Sequence, residues 1–261
     1  MADALFSVDG QIALVSGGSR GIGRELARGF AQRGAKVIIT GRDEATLERT
    51  AEEISESDNA VLPMACDVAV IDDVEKLVAK VIDAFGRIDT LLNVAGVNKR
   101  QRVEEFTVEE YDFILDINLK GAFWMAREVG RRMIERRSGT QIHIDSLNTS
   151  APLKGVLPYA MSKAGLGMMT RGMASEWGEF GVRVNALAPG FILTDMTQKL
   201  WSESKMQAWA KVNTPLGRLG EVDDLVGTAL FLASPASAFM TGQVVYVDGG
   251  ITAGTAWPID L

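Results

Sequence analysis

Short apolar runs rich in β-branched residues alternate along this chain with longer segments in which apolar positions recur at helical spacing. The short runs predict buried β-strands, and the longer segments predict amphipathic α-helices. The predicted strands cover residues 12–15, 36–40, 61–65, 90–94, 141–145, 182–188 and 244–247. The predicted helices cover residues 22–32, 44–56, 72–85, 107 to about 136, 159–179 and 221–233.

The alternation of strands and helices predicts the fold class. Strands that are apolar throughout form parallel sheets with helices on both faces, and right-handed crossovers make such sheets doubly wound. No repeat, low-complexity stretch or Pro/Gly-rich linker divides the sequence. We therefore expect an α/β fold in which residues 1–261 form a single Rossmann-type domain, a doubly wound parallel sheet of about seven strands with helices on both faces. Residues 190–215, with Trp201 and Trp209, have the least regular pattern, and we interpret them as a substrate lid.

Composition narrows the function mainly by exclusion. The 261 residues are 47% hydrophobic and 23% charged, which is ordinary for a globular domain with its own core. The chain has one cysteine and one histidine, Cys66 and His143, so we predict no intrachain disulfide and no metal site. We interpret His143 as a hydrogen-bonded core residue, and Cys66, in the third strand, as buried and inert.

Charge and hydropathy exclude two further classes of partner. The net charge of −7 disfavours nucleic acid, because a phosphate backbone is repelled overall. The first ten residues hold two aspartates and no basic residue, so we expect no secretory signal. No apolar run approaches the ~20 residues that span a bilayer. We therefore expect no nucleic-acid partner, no membrane partner and a cytoplasmic location.

A glycine-rich segment lies between the first predicted strand and the first predicted helix. It reads Ser16-Gly17-Gly18-Ser19-Arg20-Gly21-Ile22-Gly23. Glycines here let the chain turn sharply and let a pyrophosphate approach the backbone, while the helix offers free N–H groups and its positive dipole end. The segment therefore predicts an NAD(P)-binding site.

The spacing of these glycines carries a family resemblance. Glycines at 17, 21 and 23 resemble the T-G-x-x-x-G-x-G pattern of the short-chain dehydrogenase/reductase family, with Ser16 in place of threonine. The resemblance runs from about residue 10 to residue 250, and residues 93–96 read Asn-Val-Ala-Gly where the family has N-N-A-G. By this resemblance the cofactor-binding residues are Gly17, Ser19, Arg20, Gly21, Ile22, Gly23, Arg42, Asp67, Val68, Asn93, Ala95, Gly96, Tyr159, Lys163, Pro189, Gly190, Ile192 and Thr194.

The residues after the second strand bear on the choice of cofactor. A carboxylate there binds the ribose 2′-hydroxyl of NAD, whereas an arginine accommodates the 2′-phosphate of NADP. The sequence has Gly41 and then Arg42, and Arg20 in the glycine loop can approach the same phosphate. We therefore expect NADP(H) to be preferred, with NAD(H) as a second cofactor. The alternative is that Arg42 only stacks on the adenine, and we interpret the nearby Asp43 as the N-cap of the next helix.

Four polar residues form a candidate catalytic group. Tyr159 and Lys163 are four residues apart at the start of a predicted helix, so they share one face. Ser146 ends the fifth strand, thirteen residues before Tyr159, at the sheet edge where doubly wound folds bind ligands. Asn118 lies within the preceding long helix, where asparagine is a mediocre helix former. In order and spacing, these residues match the catalytic tetrad of the short-chain family.

Each residue type suits the reduction of a ketone. An acid must protonate the oxygen as hydride arrives at the carbon, and we assign this role to Tyr159. The ammonium of Lys163 is expected to lower the pKa of the phenol by ~3 units, roughly 4 kcal/mol, and to bond the nicotinamide ribose. Ser146 is expected to donate a hydrogen bond to the substrate oxygen. By family analogy, Asn118 holds a water that relays protons from Lys163 to solvent.

The resemblance implies an oxidoreductase that interconverts a secondary alcohol and a ketone on a small molecule, and the two arginines make NADP(H) its expected cofactor. Residues 213–218 and 247–251 look similar to those of gluconate 5-dehydrogenases and related sugar or polyol reductases, so we expect a sugar, polyol or sugar acid. The family also implies a homotetramer. The substrate pocket is expected at residues 98–100, 147–153 and 191–201. Candidate partners for a substrate carboxylate or phosphate, each also consistent with a solvated side chain, are Lys99, Arg100 and Lys154.

Two other functions share these motifs. A 3-oxoacyl-thioester (acyl carrier protein) reductase has the same catalytic residues, although an acyl carrier prefers a basic docking surface and this chain is acidic. A non-catalytic nucleotide-binding sensor is the remoter alternative, since fold does not dictate function. Loss of the tyrosine or the lysine would indicate a sensor, and both are present.

Overall fold

Seven parallel strands form one sheet in the order β3-β2-β1-β4-β5-β6-β7. The computed structural model describes residues 4–55, 60–195 and 197–254. The strands are β1 (Ile12–Ser16), β2 (Lys36–Gly41), β3 (Leu62–Ala65), β4 (Thr90–Asn93), β5 (Gly139–Ile144), β6 (Val182–Pro189) and β7 (Val244–Val247). The strand order reverses between β1 and β4, and doubly wound sheets bind ligands in the crevice outside such a reversal. The predicted fold class is confirmed.

Helices cover both faces of this sheet. They are α1 (Gly21–Ala31), α2 (Glu44–Ile54), α3 (Ile71–Phe85), α4 (Val108–Leu115), α5 (Ala122–Arg136), α6 (Leu157–Trp177), α7 (Gln198–Trp201), α8 (Ser204–Asn213) and α9 (Val226–Ala233). Successive side chains of a strand point to opposite faces, so the strands contribute to two cores. Val15 and Ile39 pack with α1, α2 and α9, whereas Leu14 and Leu91 pack with α3, α5 and α6. Burial on both faces explains why the central strands β1 and β4 are mostly apolar.

The helix predicted from residue 107 to about 136 is interrupted. A π-helical turn, Asp116–Gly121, separates α4 from α5. A Cβ added at Gly121 would lie 2.6 Å from the carbonyl oxygen of Val68, so the turn packs directly against the segment that follows β3. Such π-helical turns are frequent at functional sites.

The sequence pattern suggested that residues 190–215 are irregular, but the structure has regular helices there. It contains α7 and α8, and the rings of Trp201 and Trp209 lie 5.1 and 5.3 Å from the ring of Phe191. The predicted lid therefore consists of two short helices whose tryptophans pack against Phe191.

Two helix ends also differ from the sequence prediction. The segment predicted as a helix over 221–233 begins as a 3₁₀ turn, Val222–Leu225, and becomes α-helical only in α9. Helix α2 ends at Ile54, and Glu56, the predicted end, lies outside the described residues. In the described part of the chain, no helix is long and apolar enough to cross a membrane.

Candidate active site

A cleft of about 310 Å³ opens at the carboxyl ends of the central strands. Its size is that of a small-molecule site. The residues singled out in the sequence that line it are Gly17, Ser19, Arg20, Gly21, Ile22, Gly23, Arg42, Asp67, Val68, Ala95, Gly96, Ser146, Tyr159, Lys163, Pro189, Gly190, Ile192 and Thr194. Lining residues that the sequence analysis did not assign to the catalytic or cofactor-binding set include Cys66, Val97, Asp145 and Thr197.

The glycine loop after β1 forms one end of the cleft. Gly17 has φ +72°, and a Cβ added there would lie 2.7 Å from Cα of Ala95. At Gly23 an added Cβ would lie 2.1 Å from the carbonyl oxygen of Gly17, so only glycine fits this close turn. Helix α1 begins at Gly21 with no side-chain cap, and its first-turn N–H groups lack intrahelical acceptors. This cradle fits the pyrophosphate of a dinucleotide.

Two arginines line this part of the cleft: Arg20 directly precedes α1, and Arg42 directly follows β2. Arg20 and Arg42 are exposed, line the cleft, and make no ion pair within the described residues. Asp43, the nearest acid in sequence, caps α2 by accepting a hydrogen bond of 2.8 Å from the backbone N–H of Thr46. The expectation that Asp43 is the N-cap is confirmed. The positive charge of the two guanidiniums is therefore left for an anion, and the donor set fits a ribose 2′-phosphate.

The segment after β3 supplies another wall. Asp67 lines the cleft and accepts a hydrogen bond of 3.0 Å from the N–H of Ala69. Cys66 follows β3, rather than lying in it, and reaches the cleft although it is buried. Burial raises the pKa of its thiol to about 12, so the thiol stays protonated at neutral pH. This agrees with the expectation of an inert cysteine.

Asn93 and Asn118 are buried behind the cleft, not on its surface. The side chain of Asn93 donates a hydrogen bond of 2.8 Å to the carbonyl oxygen of Ala122, so it faces α5. Asn118, in the π-helical turn, accepts from the N–H of Val97 and donates to its carbonyl oxygen, both at 2.8 Å. It also donates to Ser162 at 3.1 Å. Asn118 thus fixes the loop after β4.

The structure brings Ser146, Tyr159 and Lys163 together on the wall of the cleft. Ser146 lies two residues beyond β5, not at its end. Tyr159 and Lys163 project from the first turns of α6, and Nζ of Lys163 lies 5.6 Å from the centroid of the tyrosine ring. The buried ammonium donates a hydrogen bond of 2.7 Å to the carbonyl oxygen of Ile144. Each side chain is therefore placed by a defined element.

The ionisation of this group differs from expectation. Burial raises the pKa of Tyr159 to about 12, against the lowering effect of a hydrogen bond with Ser146. Burial also lowers the pKa of Lys163 to about 8, and the charge of Asp145 opposes this. The expectation that the ammonium of Lys163 lowers the pKa of the phenol is wrong for this structure. Burial of the hydroxyl is the largest cause, and the charge of the nearby Asp145 raises the pKa further.

Two further titratable residues lie close to the catalytic group: His143 is in β5, and Asp145 follows β5 and lines the cleft. Asp145 is buried, accepts a hydrogen bond of 2.5 Å from the Thr149 hydroxyl, and has a pKa raised to about 6 by burial. His143 is fully buried, and neither ring nitrogen has a hydrogen-bond partner in the described part of the chain. Burial lowers its pKa to about 3, so the ring is neutral. Its predicted core position is confirmed. Only the position of Asp145 next to Ser146 could have drawn attention to it.

On the substrate side, the three candidate cations differ. Lys99 forms an ion pair with Glu110. Arg100 is exposed and has no ion pair within the described residues. Its Cγ lies 3.3 Å from the position that a Cβ added to Gly155 would occupy, so Arg100 packs against the loop between Ser146 and Tyr159. Lys154 is exposed in the same loop.

Known proteins resemble this chain over almost its whole length. A family model described as "Enoyl-(Acyl carrier protein) reductase" matches residues 17–252. The gluconate 5-dehydrogenase of Gluconobacter oxydans is 40% identical, with 95% of this chain and 97% of that protein covered. The 3-oxoacyl-acyl-carrier-protein reductase of Thermotoga maritima is 36% identical, with 94% of this chain and 98% of that protein covered. A crystal structure of a gluconate 5-dehydrogenase from Burkholderia cenocepacia, in complex with NADP and tartrate, matches with a TM-score of 0.93 and 36% identity, covering 97% of this chain and 99% of that chain.

Proposed function

The chain belongs to the short-chain dehydrogenase/reductase family, and on this basis we propose that it is an NADP(H)-dependent oxidoreductase of a sugar, polyol or sugar acid. The proposed reaction interconverts a secondary alcohol and a ketone. The observation that carries the proposal is the grouping of Ser146, Tyr159 and Lys163 on one wall of a cleft whose other end is the glycine loop.

The proposed chemistry assigns one task to each side chain. Tyr159, whose pKa is about 12, is protonated at neutral pH and donates its proton to the substrate oxygen during reduction. When bound, the nicotinamide supplies a hydride to the carbonyl carbon, or accepts it in oxidation. Ser146 donates a hydrogen bond to the same oxygen and stabilises its negative charge. Lys163 holds the ribose and carries the proton that restores Tyr159, and Asn118 is proposed to support that relay.

NADP(H) is the proposed cofactor because two arginines, one before α1 and one after β2, give this part of the cleft a positive charge. Arg20 and Arg42 line the cleft without acidic partners among the described residues, and Asp43 is occupied as a helix cap. A crystallised relative, the gluconate 5-dehydrogenase of Burkholderia cenocepacia, is in complex with NADP, which supports the same choice. The other proposed cofactor contacts are those residues that the family resemblance assigned to the cofactor and that line the cleft.

A small polyhydroxylated substrate is proposed because two of the similar proteins are gluconate 5-dehydrogenases, one of them in complex with tartrate. Arg100 is the cation proposed to attract a substrate carboxylate, since Lys99 is already paired with Glu110. Helices α7 and α8 are proposed as the lid over this side. A homotetramer and a cytoplasmic location complete the proposal, and both are carried over from the family and the sequence.

A panel of substrates tests the function. Purified protein is given NADPH or NADH with keto-gluconates, keto-sugars, simple diketones and an acetoacetyl thioester, and cofactor oxidation is followed by absorbance. Oxidation of NADPH with a keto-sugar or keto-acid is the expected result. Cofactor binding without turnover of any ketone would contradict the proposal and favour a nucleotide-binding sensor.

Reduction of a 3-oxoacyl thioester is the second candidate function. The 3-oxoacyl-acyl-carrier-protein reductase of Thermotoga maritima, which is similar to this chain, favours it. The net charge of −7 opposes it, because acyl carrier proteins prefer basic surfaces. In the same panel, turnover of the thioester alone would assign the chain to acyl reduction.

A further inference from the structure

Asn148 contacts the hydroxyl of Ser146 through two separate donors. The residue lies in a short 3₁₀ turn, Leu147–Thr149, that directly follows Ser146, and it is only 7% exposed. Its backbone N–H donates to Oγ of Ser146 at 3.2 Å, and its side-chain Nδ2 donates to the same oxygen at 3.1 Å. Sequence reasoning placed Asn148 in a pocket loop and gave it no role.

The orientation of the Asn148 amide is fixed by a backbone group. Oδ1 of Asn148 accepts a hydrogen bond of 2.8 Å from the N–H of Leu153. A backbone N–H can only donate, so the atom facing Leu153 must be the oxygen. The nitrogen therefore faces Ser146, and it can only donate to the serine hydroxyl.

This arrangement determines where the serine proton points. A hydroxyl oxygen has two acceptor sites and one proton, and Asn148 supplies a donor to both sites. The proton of Ser146 is thus left for a third partner, and the serine lines the cleft together with Tyr159. Donors that converge on a hydroxyl oxygen also polarise its O–H bond and make it a stronger donor.

We propose that Asn148 is a positioning residue that commits the Ser146 hydroxyl to donating its hydrogen bond toward the substrate oxygen. This inference rests on the proposed function and adds a residue to it. During reduction the substrate oxygen gains negative charge, and a donor that is already oriented stabilises that charge without reorganising. Among the described residues that line the cleft, Ser146 is present and Asn148 is not, so Asn148 acts through the serine.

The test replaces the donor by an acceptor of the same shape. In Asn148→Asp, one carboxylate oxygen keeps the bond from Leu153 and the other accepts the Ser146 proton. We expect kcat for ketone reduction to fall roughly 100-fold, with KM and NADPH affinity little changed. Asn148→Ala keeps the backbone donor and is expected to lose roughly tenfold. Gln243→Ala, which removes an exposed side-chain amide that donates to the carbonyl oxygen of Thr241 just before β7, is the control and should retain wild-type kcat.

A double-mutant cycle with Ser146→Ala separates positioning from a general effect. If Asn148 acts through the serine, Asn148→Asp and Asn148→Ala have no further effect in the Ser146→Ala background. The proposal is overturned if the Asn148 variants lower kcat equally in the wild-type and Ser146→Ala backgrounds. That result would mean that the new carboxylate only repels charge at the site, or that Asn148 only maintains the loop. NADPH binding by fluorescence and a thermal melt check that each variant is folded.

The two levels of the proposal fail differently. If the wild type binds NADPH but reduces no ketone, the proposed function is wrong and the role of Asn148 falls with it. If the wild type turns over, Ser146→Ala is impaired and both Asn148 variants match the wild type, only the role of Asn148 is wrong.

Discussion

At the scale of single residues, Arg42 carries the choice between NADP(H) and NAD(H). It lines the cleft beside Gly41, and a Cβ added at Gly41 would have Ser19 Oγ as its nearest neighbour, at 3.6 Å. Arg42 therefore places a positive charge on the cleft where β2 ends. Charge-assisted hydrogen bonds of arginine to phosphate are stronger than neutral ones.

We expect Arg42→Ala to raise KM for NADPH by roughly tenfold to a hundredfold, because a hydrogen bond to a charged group contributes about 1.5–3 kcal/mol. KM for NADH should change little. Initial rates at varied cofactor concentration measure both constants. Arg24→Ala, which removes an equal charge from α1 at an exposed ion pair with Glu53, is the control. Equal losses with both cofactors would show that Arg42 does not contact the 2′-phosphate.

Asp145 gives a residue-scale prediction about stability. Burial raises its folded pKa to about 6, above the ordinary aspartate value of 3.8, so between these pH values the folded state keeps a proton that the unfolded state has lost. Stability therefore falls as pH rises through this window, by up to about 3 kcal/mol. Asp145→Asn, which can still accept from Thr149, should abolish the fall and be the more stable protein at about pH 8. Urea unfolding at about pH 4 and about pH 8 measures this. A variant with the same fall as the wild type would contradict the buried carboxyl as its source.

Residue types and spacing were enough to predict Ser146, Tyr159 and Lys163 as neighbours, because a helix face and a sheet edge fix where they lie. They did not predict that Asn93 is turned toward Ala122, since its rotamer depends on α5. Nor did they predict a raised pKa for Tyr159, because burial of the hydroxyl is a property of the packed site.

At the scale of elements, the turn from β1 into α1 depends on glycines for space rather than for flexibility. Alanine is about 1 kcal/mol better than glycine inside a helix. At Gly23, however, the added methyl would meet the Gly17 carbonyl oxygen at 2.1 Å. The cost of this clash exceeds the gain in helix propensity, so glycine is required at residue 23 for the close turn that forms the cradle.

We expect Gly23→Ala to lower the melting temperature and to abolish NADPH binding. Gly227→Ala, in α9, is the matched control, because an added Cβ there has nothing within 4 Å and should stabilise the protein by about 0.5–1 kcal/mol. Thermal melts and NADPH fluorescence measure the two effects. Normal cofactor binding by Gly23→Ala would contradict the phosphate cradle.

Strand positions were predicted from sequence to within two residues, because a short apolar run between two amphipathic helices has few alternative positions. The π-helical turn, Asp116–Gly121, was missed since the apolar pattern continues through it, and the turn is set by contact with Val68. Helices α7 and α8 were missed for a different reason: α8 exposes Trp209 and Val212 and has no clean apolar stripe.

At the scale of the whole molecule, the sheet brings groups that are far apart in sequence to one edge. The reversal between β1 and β4 places the glycine loop beside the loop after β4, and β5 and α6 supply the catalytic group. Burial at this edge governs ionisation as well as contact, because it raises the pKa of Tyr159 and lowers that of Lys163.

The pH dependence of alcohol oxidation follows from this burial. Oxidation needs the phenolate of Tyr159 as the base, and with a pKa of about 12 the phenolate fraction grows throughout the neutral range. We expect kcat/KM for oxidation to rise steadily from about pH 6 to about pH 9, with inflections where Asp145 and Lys163 titrate. Initial rates with a polyol and NADP measure the profile. A plateau that begins near neutral pH would show that the pKa of Tyr159 is far lower.

The most direct measurement compares Tyr159→Phe with the wild type, using NADPH and the best ketone of the panel. The variant removes only the proton that Tyr159 donates, so it should reduce the ketone at less than about a hundredth of the wild-type rate, in line with the loss of a general acid. NADPH should still bind nearly as tightly, because the glycine cradle and Arg42 are unchanged. Retention of about a tenth of the activity or more would contradict the role of Tyr159 as the acid.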